Sequence, residues 1–169
     1  VRWPLMAWVD FFRAFPPLVL LVLLFAGLPF AGLELGGFAC VAIAFFLNTG
    51  SYYGEIFRAG IDSVPNGQVE AARSTGLSRM QAMRYVVLPQ AVRLALPTLI
   101  NHSVLLFKNT SLAMAIGAAE LTYVTREIES QSFRTVEVYL FSTLVYLAIS
   151  LLIMGGGALL EHRYRIIGR

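Results

Sequence analysis

The polar positions of this chain fall into a few islands between long apolar runs. No charge interrupts Ala14 to Leu33, Leu35 to Gly54, or Val138 to Leu160, which are runs of 20, 20 and 23 residues. Each matches the roughly 20 residues needed to cross the hydrocarbon core of a bilayer as a helix. A fourth run, Leu94 to Phe107, has only 14 residues, and reaching back to Tyr85 extends it to 23 by including Arg93. An arginine about two turns from a helix end can place its guanidinium among headgroups while its stem stays in apolar surroundings. The pattern therefore predicts an all-α, polytopic membrane protein. Its single domain, 1–169, has spans at about 14–33, 35–57, 85–107 and 138–160.

Between the second and third spans lies a polar stretch, about 62–84, that reads as two short helices joined at Gly76. The turn cluster Asp62-Ser63-Val64-Pro65-Asn66-Gly67 ends the preceding span. Gly76 supplies a left-handed residue to close the first helix, and Ser78 with Gln81 forms a capping box for the second. Glu70 is expected in the first turn of its helix, where the dipole favours negative charge. Ala71 and Ala72 are expected to leave the helix smooth enough for a partner to approach closely. Such a segment, held between spans, reads as a docking knob.

Other punctuation follows the same logic. Pro16 and Pro17 suit the start of the first span, where missing amide donors matter least. Leu28 to Gly37 reads as a tight outer turn. Asn48, Gly50, Ser51 and Gly54 read as small-residue packing positions, Leu88-Pro89-Gln90 as the start of the third span, and Pro97 as a kink within it. Leu112 to Ala119 is too short to cross and suits a half-helix at membrane depth. Glu120 to Glu137 reads as an outer surface helix.

Composition sharpens this picture. Apolar residues make up 57% and charged residues 14%, with a mean hydropathy of +0.70, which excludes an ordinary soluble domain. Placing both termini and the central loop on one side gathers ten arginines there (2, 13, 58, 73, 79, 84, 93, 163, 165 and 169), leaving Lys108, Arg126 and Arg134 opposite. Ten against three makes the first side cytoplasmic. The net charge of +3 thus follows from topology and implies no nucleic acid. Ala72, Gly76 and Ala82 do fall at helix-turn-helix spacings, but flanking spans and Pro89 tie the second helix to the bilayer. The lone Cys40 excludes an intrachain disulfide.

Candidate chemistry is sparse. Glu55 and Arg58, three apart on one helix face, read first as an ion pair anchoring the second span, with a gating role as the alternative. Lys108, the only lysine, precedes Asn109, Thr110 and Ser111; it is either an interface anchor or part of a translocation path. His102 suggests an interhelical hydrogen bond. A phosphate-binding glycine loop and a His-Glu-x-x-His zinc motif are both missing, so no ATP, metal or other cofactor is expected, and no catalytic residue.

Several blocks together resemble a known family. Glu70-Ala71-Ala72, Gly76 and Leu88-Pro89 look like the coupling loop of ABC importer permeases. Phe11-Phe12-Arg13-Ala14-Phe15-Pro16-Pro17-Leu18, Leu47 to Ile61, Gly67 to Ala72, Leu88-Pro89-Gln90-Ala91 and Lys108-Asn109-Thr110-Ser111-Leu112 are similar to the polar amino acid permeases. This resemblance covers about 10–161. It implies a permease of the bacterial inner membrane, multi-pass with both termini cytoplasmic, importing a polar or charged amino acid. An extracytoplasmic binding protein would deliver the substrate, and separate ABC ATPase subunits would grip Glu70, Ala71, Ala72 and Gly76. A second permease subunit would complete the path amid membrane lipid. Glu55, Arg58, Lys108, Asn109, Thr110 and Ser111 are candidates for lining or gating it. There are two departures: the family's first of five spans would lie before Val1, so the chain reads as truncated, and an aspartate is commoner where Asn109 stands. A membrane-embedded enzyme and a non-transporting scaffold are the alternatives.

Overall fold

The computed structural model describes residues 2–164, and among these every regular element is helical. Val1, Arg165 and Arg169 lie outside the described residues. Helix α1 (Arg2–Ala14) is followed by α2 (Pro17–Val22), which runs on through a π-helical turn (Leu23–Gly27) and a 3-10 turn (Leu28–Ala31). The chain bends by 97° between Trp3–Ala14 and Pro17–Ala31. Pro16 is extended and Pro17 occupies the first helical position, where its fixed φ and missing donor are tolerated. The expected approach segment is thus a helix in its own right, and the apolar helix after it begins at Pro17 rather than Ala14.

Helix α3 (Gly37–Asp62) has 26 residues, about 39 Å at 1.5 Å per residue. The central loop then supplies α4 (Asn66–Ser74) and α5 (Arg79–Ala82). Helix α5 does not stop before the third apolar run. It continues through a π-helical turn (Met83–Val87) into α6 (Leu88–Asn109) and a 3-10 segment (Thr110–Ile116). After α7 (Leu121–Ser132), α8 (Thr135–Tyr164) closes the chain. Glu137 therefore lies in the first turn of α8, outside the surface helix expected to contain it. The polar stretch ends earlier because Phe133, in the left-handed region at φ +55, separates α7 from α8.

Both π-helical turns stop immediately before a Leu-Pro pair, Leu28-Pro29 and Leu88-Pro89. A proline within a helix lacks the N–H owed to the carbonyl four residues back, and its ring crowds that carbonyl. Widening the preceding turn relieves both: the Leu88 N–H reaches Met83 O, five residues back. This is why Pro89 sits inside a continuous helix instead of starting one. Pro97 also lies inside α6.

Helices α3 and α6 pack antiparallel. Gly60 faces Ala91 and Ala95 so closely that a Cβ at position 60 would stand 2.8 Å from Ala91 O. Farther along, Tyr53 Oη and Ser103 Oγ share a hydrogen bond of 2.9 Å. His102 lies against the rings of Tyr52 and Tyr53, at 4.8 and 5.3 Å. It thus makes aromatic contacts in place of the expected hydrogen bond. Against α6 packs α8, where Gly157 abuts Ile100. On the other flank of α3, Phe12, Leu20, Leu21, Cys40 and Ala44 form a core.

By length and composition, α8 is apolar enough to cross a membrane unaided, and the pairs Trp3–Ala14 with Pro17–Ala31 and Arg79–Ile116 with Leu121–Ser132 qualify jointly. Helices α3 and α6 have the length, but Asn48 to Gly54 in one and Arg93, Asn101, His102 and Lys108 in the other dilute their apolar content. Only Ser142, Ser150 and Gly157 of α8 are buried. Its apolar sides face outward, as suits lipid or another subunit.

Candidate docking loop and the polar end of α3

The central loop is built almost wholly from its own residues. Helix α4 ends in a Schellman motif: Leu77 N–H bonds Ala72 O at 3.3 Å and Gly76 N–H bonds Arg73 O at 3.0 Å. This closure needs a left-handed residue, and Gly76 supplies it at φ +89. The capping box forms as expected, with Gln81 N–H to Ser78 Oγ at 3.3 Å and Ser78 N–H to Gln81 Oε1 at 2.8 Å. Beneath the loop, Val64, Val87 and Ala91 are buried and Ile61, Val69 and Leu94 pack on them. The loop is thereby seated on the ends of α3 and α6.

Two details depart from expectation. Helix α4 begins at Asn66, so Glu70 falls in its second turn, and no acid occupies the first. The dipole argument for Glu70 therefore lapses. Ala72 is 7% exposed and faces the protein, because the chain reverses at Gly76 and folds back over it. The surface left to a partner consists of Glu70, Ala71, Gly76 and Met80, all exposed. Beside it, Asp62, Asn66, Arg73, Arg79 and Met83 border a cavity of about 410 Å³.

Glu55 and Arg58 do meet. Arg58 donates from Nε and a terminal nitrogen to the two Glu55 carboxylate oxygens at 2.8 and 2.5 Å, and to Asp62 at 2.6 Å. Arg13 of α1 approaches the same carboxylate at 3.6 Å and Asp10 at 3.5 Å. Charges this exposed contribute little individually, about 0–1 kcal/mol per pair, but here they join α1 to α3.

Asn48 and Tyr52 complete that junction. The Asn48 amide donates to Phe12 O and Phe15 O at 2.9 and 3.0 Å, and Tyr52 Oη donates to Arg13 O at 3.1 Å. Carbonyls at a helix end have no partners within the helix, and here α3 supplies donors to three of them. Positions 48, 52 and 55 share one face of α3, and Arg13 lies over the Tyr52 ring at 5.5 Å. Reading Asn48 as a packing residue missed this. The signal was present, however: a primary amide one turn before a tyrosine in an otherwise apolar run.

Lys108, Asn109, Thr110 and Ser111 lie far from this cluster. Glu55 shares a cavity with Leu94, Ala95 and Thr98, and ten residues of α6 then separate Thr98 from Lys108, about 15 Å along the axis. Thr110 and Ser111 donate to Phe107 O and Lys108 O, at 2.6 and 2.8 Å, so both hydroxyls are occupied by their own backbone. Lys108 is exposed and Asn109 half-buried. The two groups of candidate path residues therefore form no single site within one chain.

A helical bundle carrying a rigid, exposed loop between two long helices defines a class, and the comparisons agree. Residues 1–166 match the family described as binding-protein-dependent transport system inner membrane component. The chain belongs to this family, the permease subunits of ABC importers. It is similar to the probable amino-acid ABC transporter permease protein YckA of Bacillus subtilis (strain 168), with 39% identity over 97% of this chain and 73% of that protein. It is likewise similar to the glutamine transport system permease protein GlnP of Escherichia coli (strain K12), with 34% identity over 96% of this chain and 75% of that one. Among solved structures, one described as an amino acid ABC transporter with histidines superposes with a TM-score of 0.88 at 36% identity, covering 93% of this chain and 73% of the other. The MetNI methionine ABC transporter, at 21% identity and a TM-score of 0.79, shares the fold.

Family membership places the chain in the inner membrane and implies ATPase and binding-protein partners.

Proposed function

We propose that this chain carries a polar or charged amino acid across the membrane, delivered by an extracytoplasmic binding protein and driven by separate ATPase subunits that dock on Glu70, Ala71 and Gly76. The observation that carries the docking assignment is the braced loop: its exposed surface is polar and small, and its hydrogen bonds close locally. The relatives' printed substrates, glutamine among them, support the amino-acid assignment. The four runs at 14–33, 35–57, 85–107 and 138–160 cross the bilayer, and the ten-to-three distribution of basic residues sets the 62–84 loop and both termini on the cytoplasmic side.

The chain supplies no catalytic chemistry of its own. A second permease subunit, identical or homologous, covers the outward apolar faces and encloses the path, to which Glu55, Arg58, Lys108, Asn109, Thr110 and Ser111 contribute from opposite ends of the helices. To test the proposal, the tagged chain is purified from membranes and copurifying subunits are identified. ATP turnover is then measured with the binding protein loaded with individual amino acids. A copurifying ATPase stimulated by a loaded binding protein is expected. Recovery of the chain without any ATPase would remove the proposal.

A further inference from the structure

At the end of α6 nearest the docking loop, a groove between α6 and α8 changes character along its length. One part, about 440 Å³, is lined by Arg93, Pro97, Ala158, Glu161 and His162. The adjoining part, about 540 Å³, is walled by Leu88, Val92 and Leu160. Arg93, Leu96 and Tyr164 border both. Leu160 is the last residue of the uncharged run of α8 and Glu161 the first charged residue after it. The groove thus straddles the level at which an apolar helix leaves the hydrocarbon core, and Tyr164 lies where interfacial aromatics concentrate.

The charges on its rim are unpaired. Among the described residues the ion pairs join Arg13, Arg58, Asp10, Glu55 and Asp62, and neither Arg93 nor Glu161 takes part. A guanidinium matches a phosphodiester oxygen for oxygen, and a carboxylate beside it matches an ammonium. A charge of each sign on one rim fits a zwitterionic headgroup better than one with net negative charge. The apolar part of the groove continues from Arg93 along Val92 and Leu88 to Leu160, as an acyl chain below that phosphate requires.

We propose that this groove is a binding site for a phosphoethanolamine glycerophospholipid, with its phosphate on Arg93, its ammonium on Glu161 and one acyl chain along Leu88, Val92, Leu96 and Leu160. The proposal rests on α6 and α8 crossing a bilayer and is independent of which amino acid is carried.

The test is lipid retention by the purified, assembled importer, exchanged into mixed micelles with equimolar dioleoyl phosphatidylethanolamine and dioleoyl phosphatidylglycerol, then read by native mass spectrometry. Wild type is expected to retain the ethanolamine lipid preferentially. Arg93→Gln removes a charge-assisted contact and lowers retention of both lipids about tenfold, while Arg93→Lys keeps most of it. Glu161→Gln abolishes the preference and leaves phosphatidylglycerol bound. Equal retention of the two lipids by wild type, or undiminished retention by Arg93→Gln, overturns the proposal. So does crosslinking between two copies through cysteines at 93 and 161, which would mean that protein fills the groove. ATPase yield in the same preparations reads the docking function separately, so failure of one assignment is distinguishable from failure of the other.

Discussion

The docking loop and the elbow between α1 and α2 both reverse or bend the chain sharply, yet they do so by different means. In the loop, Gly76 and Leu77 N–H groups return to Arg73 and Ala72 carbonyls, and Ser78 and Gln81 cap each other; no partner is more than five residues away. In the elbow, the carbonyls of Phe12, Arg13 and Phe15 take their hydrogens from Asn48 and Tyr52, at least 33 residues distant. A locally closed turn keeps its shape whatever the rest of the bundle does, as a part gripped by a motor must. An elbow capped by a neighbouring helix holds its angle only while α1 and α3 stay together.

Breaking the elbow is expected to have the largest effect on stability. Asn48 is 3% exposed, and Asn48→Leu leaves two carbonyls facing an apolar side chain, at about 1–3 kcal/mol for each buried group left unsatisfied. A lowered unfolding midpoint in detergent, with faster proteolysis near Phe15, is the expected outcome. An unchanged midpoint would mean that the elbow holds without its distant cap.

The loop should respond differently. Nothing stands within 4 Å of a Cβ added at Gly76, so Gly76→Val incurs only the conformational cost of φ +89, about 1–2 kcal/mol. Membrane yield is expected to persist while ATP hydrolysis and uptake lose their coupling. Tightly coupled transport with valine at position 76 would show that this turn does not set the docking geometry.

Ser78→Ala removes one half of the capping box at a cost of about 1 kcal/mol. Because Gln81 N–H then bonds only water, faster hydrogen exchange at Gln81 is expected without any change at Phe12 or Arg13. Protection lost at both ends of α3 would contradict the independence of the two regions.

How much of this was legible in the sequence follows the same division. The Gly76 closure, the Ser78–Gln81 box and the proline start at Pro17 were all readable, because each depends on residues within one turn of each other. The register of α4 was not: Asn66 and Gly67 read as turn residues, but Pro65 caps the helix and moves Glu70 into the second turn. The continuity of Arg79–Ile116 was hidden because Leu88-Pro89 signals a helix start unless a widened turn precedes it. Asn48 and Tyr52 were visible as a polar stripe, but their partners come from α1, and spacing within α3 says nothing about which helix lies across it. The inward face of Ala72 likewise depends on the chain folding back at Gly76.

The most direct test of the docking assignment is Glu70→Ala. Glu70 is exposed, and its side chain takes part in none of the ion pairs among the described residues. Its removal should therefore change folding stability by no more than about 0.5 kcal/mol. A charged contact desolvated against a partner is worth about 2–5 kcal/mol when one side is truncated. The variant is purified with its partner subunits, and the yield of ATPase-bound complex is compared with the yield of protein in the membrane. Complex yield is expected to fall while membrane yield and the unfolding midpoint of the isolated subunit hold. If complex yield is unchanged, or falls only in step with membrane yield, the loop around Glu70 is not the surface that the ATPase grips.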